Sequence, residues 1–145
     1  MNTILRRILL GLLVILSVFV GLWAAAFPQA FYSSFPGLGL RWLSSDGPFN
    51  EHLIRDVGAL YLGFAAAAVA AMFSRSAVAG RVVGVGWSLF GLLHISYHLG
   101  HPEGTAFDQV GTVIGLGLDF AVGLLLLLPA RTLPPVTAQK EGVAR

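Results

Sequence analysis

Residues 82–99 read VVGVGWSLFGLLHISYHL, eighteen residues with no Asp, Glu, Lys or Arg. As a helix rising 1.5 Å per residue, the run covers about 27 Å, close to the roughly 30 Å hydrocarbon thickness of a bilayer. The pattern recurs on both sides. Ile8 to Phe27 is uncharged over twenty residues, Val57 to Phe73 over seventeen, and Gln109 to Ala130 spans twenty-two with one charge, Asp119. The second run reaches spanning length once Leu53 and Ile54 are added, which sets Arg55 and Asp56 in the interface.

Four transmembrane helices are therefore predicted, at about 4–27, 50–73, 79–99 and 107–129. The connections Ser74 to Arg81 and Gly100 to Asp108 are short, and short connections join antiparallel neighbours. The expectation is an all-α, four-helix antiparallel bundle over residues 1–130. Residues 131–145, with Pro134-Pro135 and then polar side chains, offer too little apolar surface to pack and read as a disordered cytoplasmic tail.

Composition agrees. Of 145 residues 56% are hydrophobic and 11% charged, with mean hydropathy +0.79, whereas soluble domains carry charge on about a quarter of residues. Net charge is +2, with no basic stripe interleaved with aromatics, which argues against nucleic acid as a partner. The chain has no cysteine, so disulfides, thiolate metal sites and thiol redox chemistry are excluded. The preference for Ala, Gly, Val and Arg hints at a bacterial source.

Charge placement predicts the orientation. Arg6 and Arg7 precede the first span, Arg75 and Arg81 lie between the second and third, and Arg131, Lys140 and Arg145 follow the fourth, leaving only Arg41 and Arg55 in the other loops. Basic residues gather on the cytoplasmic side, so both termini are expected there, in the plasma membrane, with the loops holding Arg41 and His101 outside. Arginines at membrane edges also suit anionic lipid. Arg6-Arg7 before a run ending Ala24-Ala25-Ala26 has the outline of a cleavable signal peptide, but the run is longer than such segments use and favours a retained helix.

The segment 28–49 carries Phe31, Tyr32, Phe35, Trp42 and Phe49. Two readings stand: a short amphipathic cap on the outer surface, or a plain aromatic belt at the headgroups. Asp46-Gly47-Pro48 reads as a turn, with Pro48 near the first turn of the second span. Gly80-x-x-x-Gly84, Gly111-x-x-x-Gly115 and the run Ala65 to Ala68 give smooth helix faces, for packing within the chain or for a homodimer or another membrane protein.

Two polar groups of residues carry the chemistry. In Asn50-Glu51-His52-Leu53-Ile54-Arg55-Asp56, Glu51 with Arg55 and His52 with Asp56 are four apart, so a salt bridge and a carboxylate–imidazole pair are predicted on adjacent helix faces. His94, His98 and His101 form one stripe on the third span, with Tyr97 close by. Asp119 lies near mid-bilayer, where an ionisable group costs at least about 2.5 kcal/mol and needs a partner, for which His94 is the natural candidate.

Histidines four apart suit two ligands of one transition metal, so His94, His98 and Asp119 are the candidate metal ligands. His52 with His94 or His98 could instead supply axial ligands to a haem. Glu51, Arg55, Asp56, Tyr97 and His101 would surround the site. A hydrogen-bond network that fixes helix packing, proton-linked chemistry and small-ligand binding remain open alternatives. No nucleophile elbow or phosphate loop is present.

The stretch Phe35-Pro36-Gly37-Leu38-Gly39, and above all Asp46-Gly47-Pro48-Phe49-Asn50-Glu51-His52-Leu53-Ile54-Arg55-Asp56-Val57-Gly58, resembles small four-helix bacterial integral membrane proteins that are DoxX-like in layout. Some of those are associated with quinone-linked oxidoreductases. The resemblance implies an accessory role near the respiratory chain and carries over no catalytic residue. The combined expectation is an outward-facing pocket of His52, Asp56, His94, His98 and Asp119 that binds metal or haem and is linked to redox processes, or an accessory subunit whose polar cluster fixes helix packing.

Overall fold

The computed structural model describes residues 3–129, which form six helices and no strand. In chain order these are α1 (Thr3–Ala26), α2 (Pro28–Ser34), α3 (Trp42–Asp46), α4 (Glu51–Phe73), α5 (Ala77–Gly100) and α6 (Ala106–Leu127). The four long ones are each long and apolar enough to cross a membrane. Their ends fall within two residues of the sequence expectation. The expected tail, 131–145, lies outside the described residues.

Side chains set where three of these helices begin. Asn50 Oδ1 accepts from Leu53 N at 3.1 Å and Ser76 Oγ accepts from Val78 N at 3.2 Å, each satisfying a first-turn N–H that has no partner inside the helix. At α6 the capping is reciprocal. Thr105 Oγ1 accepts from Asp108 N, while Thr105 N donates to Asp108 Oδ2 at 2.9 Å. Pro48 stands ahead of the Asn50 cap rather than inside the first turn of α4, because the Asn50 side chain defines the start.

The long helices associate as two pairs, α1 with α4 and α5 with α6, and glycine permits the close approach in each. A Cβ on Gly58 would stand 2.5 Å from the backbone nitrogen of Ala25 in α1, and one on Gly123 would stand 2.7 Å from the nitrogen of Ser88 in α5. Gly91 is pressed on Phe120 of α6, where a Cβ would stand 2.9 Å from the Phe120 Cα. The pairs join along the half of the bundle nearer the N-terminus, called here the tail end, around Leu9, Leu10, Leu13, Val83, Trp87 and Leu126. Toward the other end the pairs enclose a space.

That other end is capped by α2 and α3. Trp23 of α1, Phe31, Phe35 and Trp42 follow one another at ring-centroid distances of 5.6, 4.7 and 6.1 Å, a continuous aromatic layer across the bundle. Trp42 fixes the layer to the opposite pair: its Nε1 donates to Asp108 Oδ1 at 3.1 Å and its ring packs against Gly111 of α6. Tyr32 donates to Gly47 O at 2.6 Å and closes the turn between α3 and α4. Segment 28–49 is therefore a packed cap as well as an aromatic-rich one. The glycines of both expected motifs meet their own chain, Gly80 at Arg6, Gly84 at Leu126 and Gly111 at Trp42, except Gly115, beside which there is open space.

Candidate functional site

The inward face of α5 is a stripe at three- and four-residue steps, Gly80, Gly84, Trp87, Gly91, then His94 and His98. The same geometry that buries Trp87 at the tail end aims His94 and His98 into the space under the cap. The rings rise in a ladder: Trp87 to Phe90 is 6.0 Å, Phe90 to His94 is 5.1 Å, and His94 to His98 is 5.1 Å.

The space is a cavity of about 610 Å³, with walls from all six helices. Most of its lining is apolar: Leu16, Phe19 and Val20 from α1, Val57 and Leu60 from α4, Leu116 and Leu118 from α6, roofed by Phe31, Phe35, Trp42 and Leu43. The polar members are few: Tyr61, His94, His98, Thr112, Asp119 and, at the roof, Asp46. An apolar container with a few convergent polar groups is the usual form of a small-molecule site. A second, more polar cavity of about 140 Å³ adjoins it, sharing Trp42, Asp46, His98 and Thr112, and reaches the cap surface at His101, Pro102 and Glu103.

Among the described residues, no hydrogen bond or ion pair joins the polar groups of the large cavity to one another. His94 Nδ1 is buried with no hydrogen-bond partner. No hydrogen bond or ion pair between described residues joins His94 to Asp119, the partner expected for it; the two face the same space instead. Tyr61 packs its ring on Trp87 and Phe90, at 6.0 and 5.7 Å, and lines the cavity from α4.

The remaining expected residues lie elsewhere. Both predicted i,i+4 pairs form, Arg55 Nε to Glu51 Oε1 at 2.8 Å and His52 Nε2 to Asp56 Oδ2 at 3.4 Å. Arg55 also donates to the Ala25 carbonyl and thereby ties α4 to the end of α1. The His52 and Asp56 side chains are 89% and 62% exposed, and neither lines a cavity described above. The reason is rotational. The buried face of α4 runs through Ile54, Gly58, Tyr61, Ala65 and Ala68, and His52 and Asp56 each precede a member of it by two residues, about 200° around the helix. His52 is therefore not brought to His94 or His98, and the two-histidine haem arrangement across α4 and α5 is not assembled. His101 leaves the stripe because α5 ends at Gly100; its ring stacks on Tyr97 at 4.4 Å and its Nδ1 lies 3.0 Å from the Tyr97 carbonyl.

Among the described residues no three His, Cys, Asp or Glu side chains come together closely enough to hold a metal ion. His94 and His98 are adjacent, but Asp119 does not complete a three-ligand set with them. Sequence reading missed Tyr61, Trp42, Asp46 and Thr112. Tyr61 left a signal: a tyrosine five residues into an uncharged run lies too deep for the headgroup belt and calls for a buried polar destination. No family model matches this chain, and no curated protein or solved structure matches it either.

Proposed function

We propose that the chain is a multi-pass protein of the plasma membrane, both termini cytoplasmic, whose cavity binds a lipid-soluble molecule with an apolar body and a hydrogen-bonding head. Quinones are the redox-active case of that chemistry. The observation that carries this reading is the cavity itself: about 610 Å³ of mostly apolar space into which His94, with its buried unpartnered Nδ1, His98, Tyr61 and Asp119 all open. A carbonyl oxygen on the head accepts from an imidazole N–H or the Tyr61 hydroxyl, while Asp119 accepts from a hydroxyl on the reduced form. An unpaired buried polar atom costs about 1–3 kcal/mol, and a ligand that pairs with it recovers that cost as affinity.

The rim supports access from the bilayer, since Phe19, Leu60 and Leu118 are exposed apolar residues near the middle of their helices. The smaller polar cavity offers water and protons a separate route at the cap. The basic residues before α1, between α4 and α5 and after α6 support cytoplasmic termini. The DoxX-like resemblance of 46–58 supports an accessory role beside a quinone-linked oxidoreductase. A second reading rests on the 5.1 Å approach of His94 and His98, which gives a transition metal two imidazoles, or a haem one axial imidazole, and leaves the other ligands to a bound molecule or a partner.

The test is titration of a short-chain quinone into protein in neutral detergent, read by quenching of Trp42 in the cavity wall and Trp87 behind it. Saturable quenching, weakened about tenfold by His94→Ala as one hydrogen bond to the head is lost, is expected. Asp119→Leu should weaken binding without lowering the melting temperature, because Asp119 has no hydrogen-bonded partner to lose. Linear quenching, identical in parent and variants, would reject the quinone. Stoichiometric transition metal or a Soret band in the purified parent would move the site to the second reading.

A further inference from the structure

The tail end holds a second polar cluster, separate from the cavity. Arg6 is only 8% exposed, and it lies against α5: a Cβ on Gly80 would stand 2.8 Å from Arg6 Cδ and 3.3 Å from its Nε. Arg6 Nε and Nη2 are buried with no hydrogen-bond partner, and so is Nε of Arg81, the residue after Gly80. Both arginines therefore stand within about one turn of the start of α5, where the helix dipole is positive and repels a cation. The acidic side chains of the described residues are elsewhere, Asp46, Glu51, Asp56, Glu103 and Asp108 at the cap end and Asp119 midway along α6.

Buried charge without a counter-charge is among the most costly arrangements in a protein. Here the buried Arg6 guanidinium lies against Gly80 in the first turns of α5, Arg81 follows Gly80 in the chain, and three N–H-bearing nitrogens of the two arginines are buried without a hydrogen-bond partner. A phosphate group answers each feature: its oxygens take the paired donors of a guanidinium fork, and its charge suits the helix start. The helix start alone would be unremarkable. The buried, unpartnered Arg6 fork is the independent sign that something negative belongs there. The exposed side chains on the same turns, Ile8, Val78 and Val82, are apolar and suit acyl chains.

We propose that Arg6 and Arg81, with the first turn of α5, form a binding site for a phosphate-bearing anion at the tail end of the bundle. The phosphate comes from a phospholipid headgroup or from free phosphate, and the experiment separates the two. Full-length protein, stripped of lipid in neutral detergent at constant ionic strength, is melted with phosphatidylglycerol, with phosphatidylcholine or with inorganic phosphate. Saturating phosphatidylglycerol should raise the melting temperature by about 5 °C while phosphatidylcholine does not. An equal rise with inorganic phosphate would name free phosphate as sufficient.

Arg6→Gln should abolish the rise, and Arg7→Gln, its exposed neighbour, should keep it. If Arg6→Gln does not fold, half-buried Arg81→Gln reads the same loss. The proposal is overturned if anionic and neutral additives act alike on the parent, or if the anion-dependent rise survives both substitutions. It is also overturned if Glu141→Gln destabilises as much as Arg6→Gln in a parent that ignores added anions, since the chain's own carboxylate would then supply the counter-charge.

Discussion

The two ends of the bundle are built from the same helices and use glycine in opposite ways. Toward the tail end and along each pair, glycine removes a side chain so that another helix fills the place: Gly84 receives Leu126, and Gly123 the backbone of Ser88. Beneath the cap, Gly115 removes a side chain and nothing fills it; it lines the cavity with no heavy atom within 4 Å of where its Cβ would be. The polar residues divide in the same way. Glu51, Arg55, His52 and Asp56 are paired and exposed, whereas His94 and Asp119 are sheltered and unpaired. Satisfied polar groups on the surface secure a helix; unsatisfied ones around a void are those the proposed ligand would pair with. In this molecule each helix pair is closely packed along its length, and the cavity lies between the two pairs under the cap.

The sharpest way to break that division is at the α1–α4 crossing. Gly58→Ala should destabilise by about 2–3 kcal/mol, because the new methyl group meets the backbone of Ala25, which cannot move aside as a flexible side chain would. Gly63→Ala, on the same helix with open space around it, should instead stabilise by up to about 1 kcal/mol through helix propensity. Thermal melts in detergent compare the two. Similar behaviour of both variants would mean that the crossing is looser than described.

A smaller effect is expected at the roof. Trp42→Phe keeps an aromatic ring in the roof but loses the indole N–H to Asp108 and the Cζ2 and Cη2 atoms that reach Gly111, so the melting temperature should fall by a few degrees. Amide exchange in α3 should rise more than exchange in α5. Uniform loosening would show that the cap is not a separate unit. The smallest effect belongs to the exposed pair. His52→Ala should leave both melting temperature and quinone quenching unchanged, since an exposed i,i+4 pair contributes little and the side chain does not reach the cavity. Loss of binding in His52→Ala would return that residue to the site.

These contrasts mark what the sequence makes legible. Uncharged runs of seventeen residues or more admit few alternatives to spanning helices, and their ends follow. The i,i+4 pairs on α4 are equally local, since helical spacing alone sets them. Which way a pair faces is not local. It depends on the rotation of α4, and that is set by the small-residue stripe Gly58, Ala65 and Ala68 seating against other helices. The stripe is visible in the sequence and would have turned His52 and Asp56 outward, just as Gly80, Gly84, Trp87, Gly91, His94 and His98 on α5 turn the other two histidines inward. The cavity was hidden for a different reason. It is a gap between helix pairs, and no residue pattern encodes where two packed pairs part. Nor does spacing reveal that Arg6, one of two adjacent arginines, is buried while Arg7 is exposed.

Filling the void tests the central claim most directly. Gly115→Leu adds a side chain where the wall has room for one, so it should fold with the parent's melting temperature or a higher one. The account predicts that this variant loses saturable quenching by a short-chain quinone while Gly63→Ala, outside the cavity, keeps the parent's affinity. A well-folded Gly115→Leu protein that binds the quinone as tightly as the parent would contradict the assignment of the cavity as the binding site.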